Sequence, residues 1–148
     1  MKIAVLQGPN LDRLGKRRPD KYGTRTLADI TEDIEKTATD LGVEVTQYQS
    51  NHEGALIDWL RTCQDEVDGI VINPAGLTPY GRSLYDALAD SDLPIAVVHM
   101  SAIFRYERQA HPDMFAPLAS VYIAGLRAKG YPIALRSLCE HIEDAARV

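Results

Sequence analysis

Two spacings of hydrophobic residues alternate along the chain. Five short apolar runs, rich in β-branched or aromatic residues, have the length and composition of β-strands. These predicted strands cover residues 2–6, 43–48, 69–73, 93–99 and 120–125. Between them, apolar positions recur every three or four residues, as in amphipathic helices. The alternation predicts one α/β domain over residues 1–148, with a mostly parallel, doubly wound five-stranded sheet covered by helices on both faces.

Four helices follow from this periodicity and from the residues at their ends. Thr26 and Asp29 have capping-box spacing in front of the first helix. Ser50 and Glu53 repeat that spacing in front of the second helix. The third and fourth helices are predicted over residues 82–90 and 131–146.

Polar side chains are concentrated where the predicted strands end. Ligands of a doubly wound sheet bind beyond the carboxyl ends of its strands, which selects the loops at 8–25, 49–54, 73–82 and 99–117. These loops carry Asn10, Arg17, Tyr22, Asn51, His52, Glu53, Asn73, His99 and Ser101. Because such groups recur at the same end of four strands, the sequence predicts a binding or catalytic site there.

Taken singly, most of these residues also fit structural roles. Asn10 fits a turn, Asn51 is a typical helix N-cap, and Glu53 fits a capping-box partner. Position alone favours a buried structural role for His99. Asn73 ends an apolar strand, where an amide packs poorly, so a role in the site is favoured.

Composition narrows the classes of function. A net charge of −5 gives no general attraction to nucleic acid or to an anionic membrane. Cys63 and Cys139 fall in helical patterns with neither metal nor redox spacing, and are predicted to be half-buried thiols of a cytoplasmic protein. Metal-ligand spacings and glycine-rich nucleotide motifs are absent from the sequence, so neither a metal nor a nucleotide cofactor is expected.

Five segments, in this order, resemble the type II 3-dehydroquinate dehydratases. They are GPNLDRLGKRRPDKYG, QSNHEGALIDWL, INPAGLTPYGRSLYDAL, VVHMSAIFRYE and GYPIAL. The resemblance covers nearly the whole chain. It implies a flavodoxin-like fold, a dodecamer built from trimers, and anti elimination of water from 3-dehydroquinate through an enolate without cofactor or metal. It leaves open whether the pathway served is aromatic biosynthesis or quinate breakdown.

The resemblance also implies roles for particular residues. Tyr22 would be the base that takes the C2 proton, and His99 the acid that protonates the departing hydroxyl. Arg17 would stabilise the ionised Tyr22 and close the loop over the substrate. Asn10 would hold the water that stabilises the enolate oxygen.

Further residues would bind the substrate. Asn73 and Ser101, with the backbone amide near Met100, would hold its carboxylate. Asp86 would reach across to the site of a neighbouring subunit.

The basic segment at residues 8–23 fits a catalytic lid. Free tyrosine has a pKa of about 10, so ionising it at pH 7 costs about 4 kcal/mol. A cation about 4 Å away offers about 4 kcal/mol at an effective dielectric near 20, but only about 1 kcal/mol in water. A tyrosine base therefore needs both a cation and a loop that expels water. The segment holds Arg17, Tyr22 and the bend formers Gly15, Pro19 and Gly23.

The chain departs from the family pattern at the acid. The family usually has a glutamate two residues before the catalytic histidine, where it orients the imidazole, and here that residue is Val97. Glu53 is the candidate replacement from its loop position. Ala102 replaces the usual asparagine after the serine.

A second departure concerns recognition of the ring hydroxyls. Pro79, Tyr106 and Ala110 stand where the family has a histidine and two arginines. Nearby arginines that could substitute are Arg82, Arg105 and Arg108. Three interpretations stay open: a rearranged 3-dehydroquinate dehydratase, a related lyase acting on a different β-hydroxy ketone acid, and a small-anion binder without activity.

Overall fold

A parallel five-stranded sheet forms the centre of the chain. The computed structural model describes residues 1–106 and 112–147. The strands are β1 (Lys2–Gln7), β2 (Glu44–Gln49), β3 (Gly69–Asn73), β4 (Ile95–His99) and β5 (Ala119–Ala124). Their spatial order is β2-β1-β3-β4-β5, with parallel pairing throughout. This is the flavodoxin-like order, so the predicted fold class is confirmed.

Helices cover both faces of this sheet. They are α1 (Pro19–Tyr22), α2 (Leu27–Leu41), α3 (Glu53–Cys63), α4 (Arg82–Asp90), α5 (Ile103–Tyr106) and α6 (Gly130–Ala146). Buried residues of α2 and α6 pack on one face, and those of α3 and α4 pack on the other. Among the described helices, none has the combination of length and apolar character needed to span a bilayer.

Alternation along the strands supplies both cores. Val5 faces the α2 and α6 side, while its neighbour Leu6 faces the α3 and α4 side. Val98 and Val97 divide between the two faces in the same way. Because each face is covered, the strands are continuous apolar runs rather than alternating ones.

The two predicted capping boxes have different outcomes. At α2, the Thr26 hydroxyl accepts from the Asp29 N–H at 3.1 Å, and the Asp29 carboxylate accepts from the Thr26 N–H at 2.8 Å. The prediction at α3 is wrong. The Ser50 hydroxyl accepts from the His52 N–H at 3.0 Å, and Glu53 accepts from the Leu84 N–H at 2.9 Å. Glu53 therefore ties α3 to the start of α4.

Both cysteines are free, as predicted, but they are more deeply buried than half-buried thiols. Cys63 is 8% exposed and Cys139 is 3% exposed. Burial raises the pKa of each thiol above its ordinary value, because a thiolate is poorly solvated there. Both side chains therefore act as small apolar core residues.

The register of the sheet brings polar strand ends together. Gln7 at the end of β1 pairs with Asn73 at the end of β3, and His99 ends the neighbouring β4. The Gly8 N–H then donates to the Asn73 carbonyl at 2.9 Å. A Cβ at Gly8 would lie 2.5 Å from the Pro74 carbonyl oxygen, so this close approach requires glycine.

Candidate active site

A cavity of about 100 Å³ lies at the carboxyl edge of the sheet. It is lined by residues at the ends of β3 and β4, by the loops that follow these two strands, and by the segment that follows β1. Its polar side chains are Arg17, Tyr22, Asn73, Thr78, His99 and Ser101. Leu11, Met100 and Ile103 add apolar surface. The cavity thus brings together most of the residues predicted for the site, and it adds Thr78 to them.

The segment after β1 is more ordered than the predicted loop. It contains a 3₁₀ turn at Leu11–Arg13 and the single helical turn α1, which starts at a proline. Leu11 and Leu14 are buried and anchor this segment to the core. Arg17 and Tyr22 are half-buried and line the cavity, so the basic segment presents one of its cations to the site.

Two cations lie close to the Tyr22 ring. The Arg17 guanidinium carbon is 5.1 Å from the ring centroid, and the Lys21 Nζ is 5.2 Å from it. Cations at this distance interact favourably with the ring face.

Asn73 is held by a buried chain of hydrogen bonds. Its Nδ2 donates to the Tyr131 hydroxyl at 2.8 Å, and that hydroxyl donates to the Gln7 Oε1 at 2.7 Å. The Asn73 Oδ1 accepts from the Ala75 N–H at 3.0 Å. Burial raises the pKa of Tyr131, so its hydroxyl stays protonated within the chain. Asn73 therefore faces the cavity with a fixed amide orientation.

His99 has a carboxylate partner that the sequence did not predict. Its Nε2 lies 2.7 Å from the Asp113 Oδ2, and both side chains are buried, at 4% and 1% exposure. The Tyr122 hydroxyl donates to the same Asp113 oxygen at 2.7 Å. The expectation that Glu53 supports His99 is wrong, because the Glu53 carboxylate binds the Leu84 N–H.

Burial and hydrogen bonding have opposite effects on the pKa of Asp113. Burial pushes the pKa of Asp113 upward, but hydrogen bonds from His99 and Tyr122 outweigh it and hold that pKa below its ordinary value. Burial and the neighbouring Asp113 raise the pKa of Tyr122. Asp113 is therefore an ionised acceptor and Tyr122 a protonated donor at neutral pH.

Contacts with the start of the loop after β5 fix the turn that holds Met100 and Ser101. The Gly125 N–H donates to the carbonyls of His99 and Ser101, at 3.2 and 3.1 Å. The Arg127 N–H donates to the Met100 carbonyl at 2.8 Å. Met100 and Ser101 are consequently buried residues that line the cavity in a defined conformation.

Several predicted residues lie elsewhere. Within the described part of the chain, Asn10, Asp86, Arg82 and Arg105 are not among the cavity-lining residues. Asn10 is exposed, with a φ of 68°, and its N–H donates to the Asn51 Oδ1 at 2.8 Å. Asp86 accepts from Arg82 at 3.0 Å on the exposed side of α4.

Arg108, a candidate for binding the ring hydroxyls, and Ala110, which stands where the family has an arginine, lie outside the described residues. Within residues 1–106 and 112–147, no three His, Cys, Asp or Glu side chains are grouped so that they could hold a metal ion.

Fold and site together define a flavodoxin-like α/β protein with acid–base side chains in a cavity at the carboxyl edge of its sheet. The family model described as Dehydroquinase class II matches residues 1–139, and the chain belongs to this family. It is 47% identical over 138 residues to a 3-dehydroquinate dehydratase of Roseiflexus castenholzii, covering 93% of this chain and 88% of that relative.

Solved structures agree with this assignment. The type II dehydroquinase of Butyrivibrio crossotus superposes with a TM-score of 0.89 at 38% identity, covering 94% of this chain and 97% of that one. The type II dehydroquinase of Propionibacterium acnes gives a TM-score of 0.87 at 36% identity, covering 94% and 96% of the two chains. The resemblance stated from the sequence motifs is therefore confirmed at the level of the family.

Proposed function

We propose that this protein is a 3-dehydroquinate dehydratase, a hydro-lyase that removes water from 3-dehydroquinate to form 3-dehydroshikimate. The main support is that Tyr22 and His99, a base and an acid by family resemblance, line the same cavity from different elements. Relatives that match nearly the whole chain carry the name 3-dehydroquinate dehydratase. A site built only to bind an anion has no need of a paired base and acid.

The elimination begins at Tyr22. Its phenolate takes the C2 proton, and the electron pair left behind forms an enolate. The Arg17 guanidinium beside the ring favours the phenolate, and a closed lid strengthens this attraction by excluding water. Ionising a free tyrosine at pH 7 costs about 4 kcal/mol, and one well-placed cation at an effective dielectric near 20 can supply this free energy.

The elimination ends at His99. As the enolate collapses, the carbon–oxygen bond breaks and the hydroxyl leaves as water with the proton of His99. Tyr22 then carries the C2 proton and His99 is neutral. Transfer of one proton from Tyr22 back to His99 through water restores both groups for the next turnover.

In this proposal the substrate carboxylate binds in the same cavity. Asn73 and Ser101 line the cavity, and the chain through Tyr131 fixes the Asn73 amide. The backbone near Met100 adds an N–H donor in this proposal. Asn10, which is exposed in this conformation, would hold the water at the enolate oxygen once the lid closes.

Substitution of Tyr22 by Phe tests this assignment. We expect the turnover number, measured from the absorbance of the conjugated enone product, to fall by at least about 100-fold. Binding of a substrate-like carboxylate, measured by calorimetry, should stay within a few fold of the wild type. His99→Ala should lose turnover as well, because the leaving hydroxyl then lacks its proton donor.

Tyr48→Phe is the matched control, since Tyr48 stacks on Trp59 away from the cavity, with ring centroids 5.2 Å apart. Turnover by Tyr22→Phe at the rate of this control would remove Tyr22 from the mechanism.

A second candidate, the related lyase for a different β-hydroxy ketone acid, is favoured by the placement of Arg82. This arginine binds Asp86 on the exposed side of α4, so it does not supply the missing hydroxyl contacts. A pocket without those contacts discriminates weakly among ring hydroxyls. Comparing kcat/KM for 3-dehydroquinate with that for analogues lacking one ring hydroxyl separates the two candidates, because only a dehydroquinate enzyme prefers the full substrate.

We further propose a cytoplasmic homo-oligomer, expected from family resemblance to be a dodecamer made of four trimers. Asp86 is exposed on α4, as a residue that reaches a neighbouring subunit must be. Free, buried cysteines fit a reducing compartment. Light scattering at the mass of a trimer or below would contradict the dodecamer.

A further inference from the structure

A buried carboxylate lies beside the acid of the proposed reaction, in the loop selected at 99–117 but at a residue with no predicted role of its own. Asp113 precedes β5, and its side chain is 1% exposed. One of its oxygens, Oδ2, lies 2.7 Å from both the His99 Nε2 and the Tyr122 hydroxyl. The other, Oδ1, accepts from the Phe115 N–H at 2.9 Å. Each oxygen is therefore satisfied inside the protein, which a buried carboxylate requires.

The backbone around this carboxylate is fixed by packing. Phe115 is fully buried between α4 and the loop after β3, with its ring 6.4 Å from that of Tyr85. The Met114 N–H donates to the Thr78 carbonyl at 3.1 Å. Asp113 is thus held in place by its two successors in the chain, and Thr78 itself lines the cavity.

Because Val97 replaces the family glutamate, His99 lacks a carboxylate partner on its own strand. Val97 is fully buried on β4, two residues before His99, and it pairs in register with Tyr122 of β5. The family motif has a glutamate at this position. The Tyr122 side chain, directly across from Val97, is the one that donates to Asp113. The carboxylate has therefore moved from the strand of His99 to the segment before the neighbouring strand, while it still reaches the same imidazole.

We propose that Asp113, held by Tyr122, is the positioning residue that orients His99, in place of the family glutamate at position 97. This inference rests on the proposed dehydratase function. With Nε2–H directed at Asp113, the Nδ1 of His99 is the nitrogen left to deliver a proton to the leaving hydroxyl. Tyr122 donates and stays protonated, so Asp113 remains a full negative charge for His99 to face.

Asp113→Asn tests the charge while preserving the volume of the side chain. We expect kcat for 3-dehydroquinate to fall by about 10- to 10⁴-fold, the range for loss of a carboxylate that orients a histidine. KM should change far less, because Asp113 does not touch the substrate. The matched control is Asp65→Asn. Asp65 is exposed and lies just before β3, at the amino end of that strand, so its substitution should leave kcat and KM unchanged.

Rescue distinguishes positioning from a purely structural role. Asp113→Ser should be slow, and Val97→Glu in the Asp113→Ser background should regain part of the lost kcat by restoring a carboxylate near His99. Tyr122→Phe keeps the carboxylate but removes one of its donors, so it should give a smaller loss. A kcat for Asp113→Asn within twofold of the wild type would overturn the proposal, as would a double variant no faster than Asp113→Ser.

A spectroscopic measurement keeps this test separate from that of the reaction. Nitrogen-15 NMR of labelled histidine reports the Nε2–H of His99 without any turnover. The wild type should show a strongly hydrogen-bonded Nε2 proton that shifts or disappears in Asp113→Asn. An inactive wild type with this signal would contradict the dehydratase function and leave the pairing intact. An unchanged signal in the variant would overturn the pairing itself.

Discussion

Removing one hydroxyl group, in Tyr131→Phe, should disturb both the stability of the fold and the binding of substrate. The ring is fully buried, and its hydroxyl joins Asn73 to Gln7 through hydrogen bonds of 2.8 and 2.7 Å. The variant leaves one buried donor and one buried acceptor without a partner, at about 1–3 kcal/mol each. Because Phe has no hydroxyl to bury, about 1–3 kcal/mol of this loss in stability is offset.

The expected net loss is about 1–3 kcal/mol in the free energy of unfolding. The Gln7 side chain is sensitive to this change, because its Nε2 already has no hydrogen-bond partner within the described residues. Asn73 keeps the contact from the Ala75 N–H to its Oδ1 but loses the anchor on its Nδ2. KM should therefore rise several fold, while kcat falls less.

Urea unfolding followed by circular dichroism measures the stability change, with all variants at one protein concentration because assembly contributes to it. Tyr48→Phe, at a half-buried ring outside this network, should stay within about 0.5 kcal/mol of the wild type. A Tyr131→Phe protein as stable as this control, with an unchanged KM, would refute the reasoning.

Two further predictions concern the fold. Thr26→Ala removes the confirmed capping box and should lower the free energy of unfolding by about 1 kcal/mol, measured by heat or urea. Thr39→Ala, near the end of α2, removes no side-chain cap and should leave the stability of the protein unchanged. Equal losses of stability in the two variants would contradict the role of the cap. Because burial raises the pKa of Cys63 and Cys139, a thiol reagent at pH 8 should label the folded protein far more slowly than protein unfolded in urea, and equal rates would contradict their burial.

Sequence reasoning succeeded where a signal is local or periodic. The five strands were found from short apolar runs, because both faces of the sheet are covered and demand such runs. The Thr26 box was found because both of its partners lie within one helical turn. The same spacing at Ser50 failed because the Glu53 carboxylate binds the Leu84 N–H, 31 residues away, and a spacing rule does not see such a contact.

Asp113 escaped prediction for a related reason. Its contact with His99 spans 14 residues of loop, and no helix or strand period connects the two. One signal was present nonetheless. Because Val97 replaces the family glutamate, another carboxylate is expected at this edge of the sheet. Asp113 lies in the loop after His99, just before an apolar segment. The three-dimensional structure is needed to choose Asp113 over Glu53 as the partner of His99, because the sequence does not show which loop passes next to the imidazole.

The most direct test of the central claim uses 3-dehydroquinate deuterated at one or the other of its two C2 positions. Each labelled substrate is incubated with the purified protein, and its product is examined by NMR. We expect 3-dehydroshikimate from both substrates, with deuterium lost from the position anti to the departing hydroxyl and retained at the other. A folded, correctly assembled protein that forms no product, or one that removes the opposite hydrogen, would contradict the account.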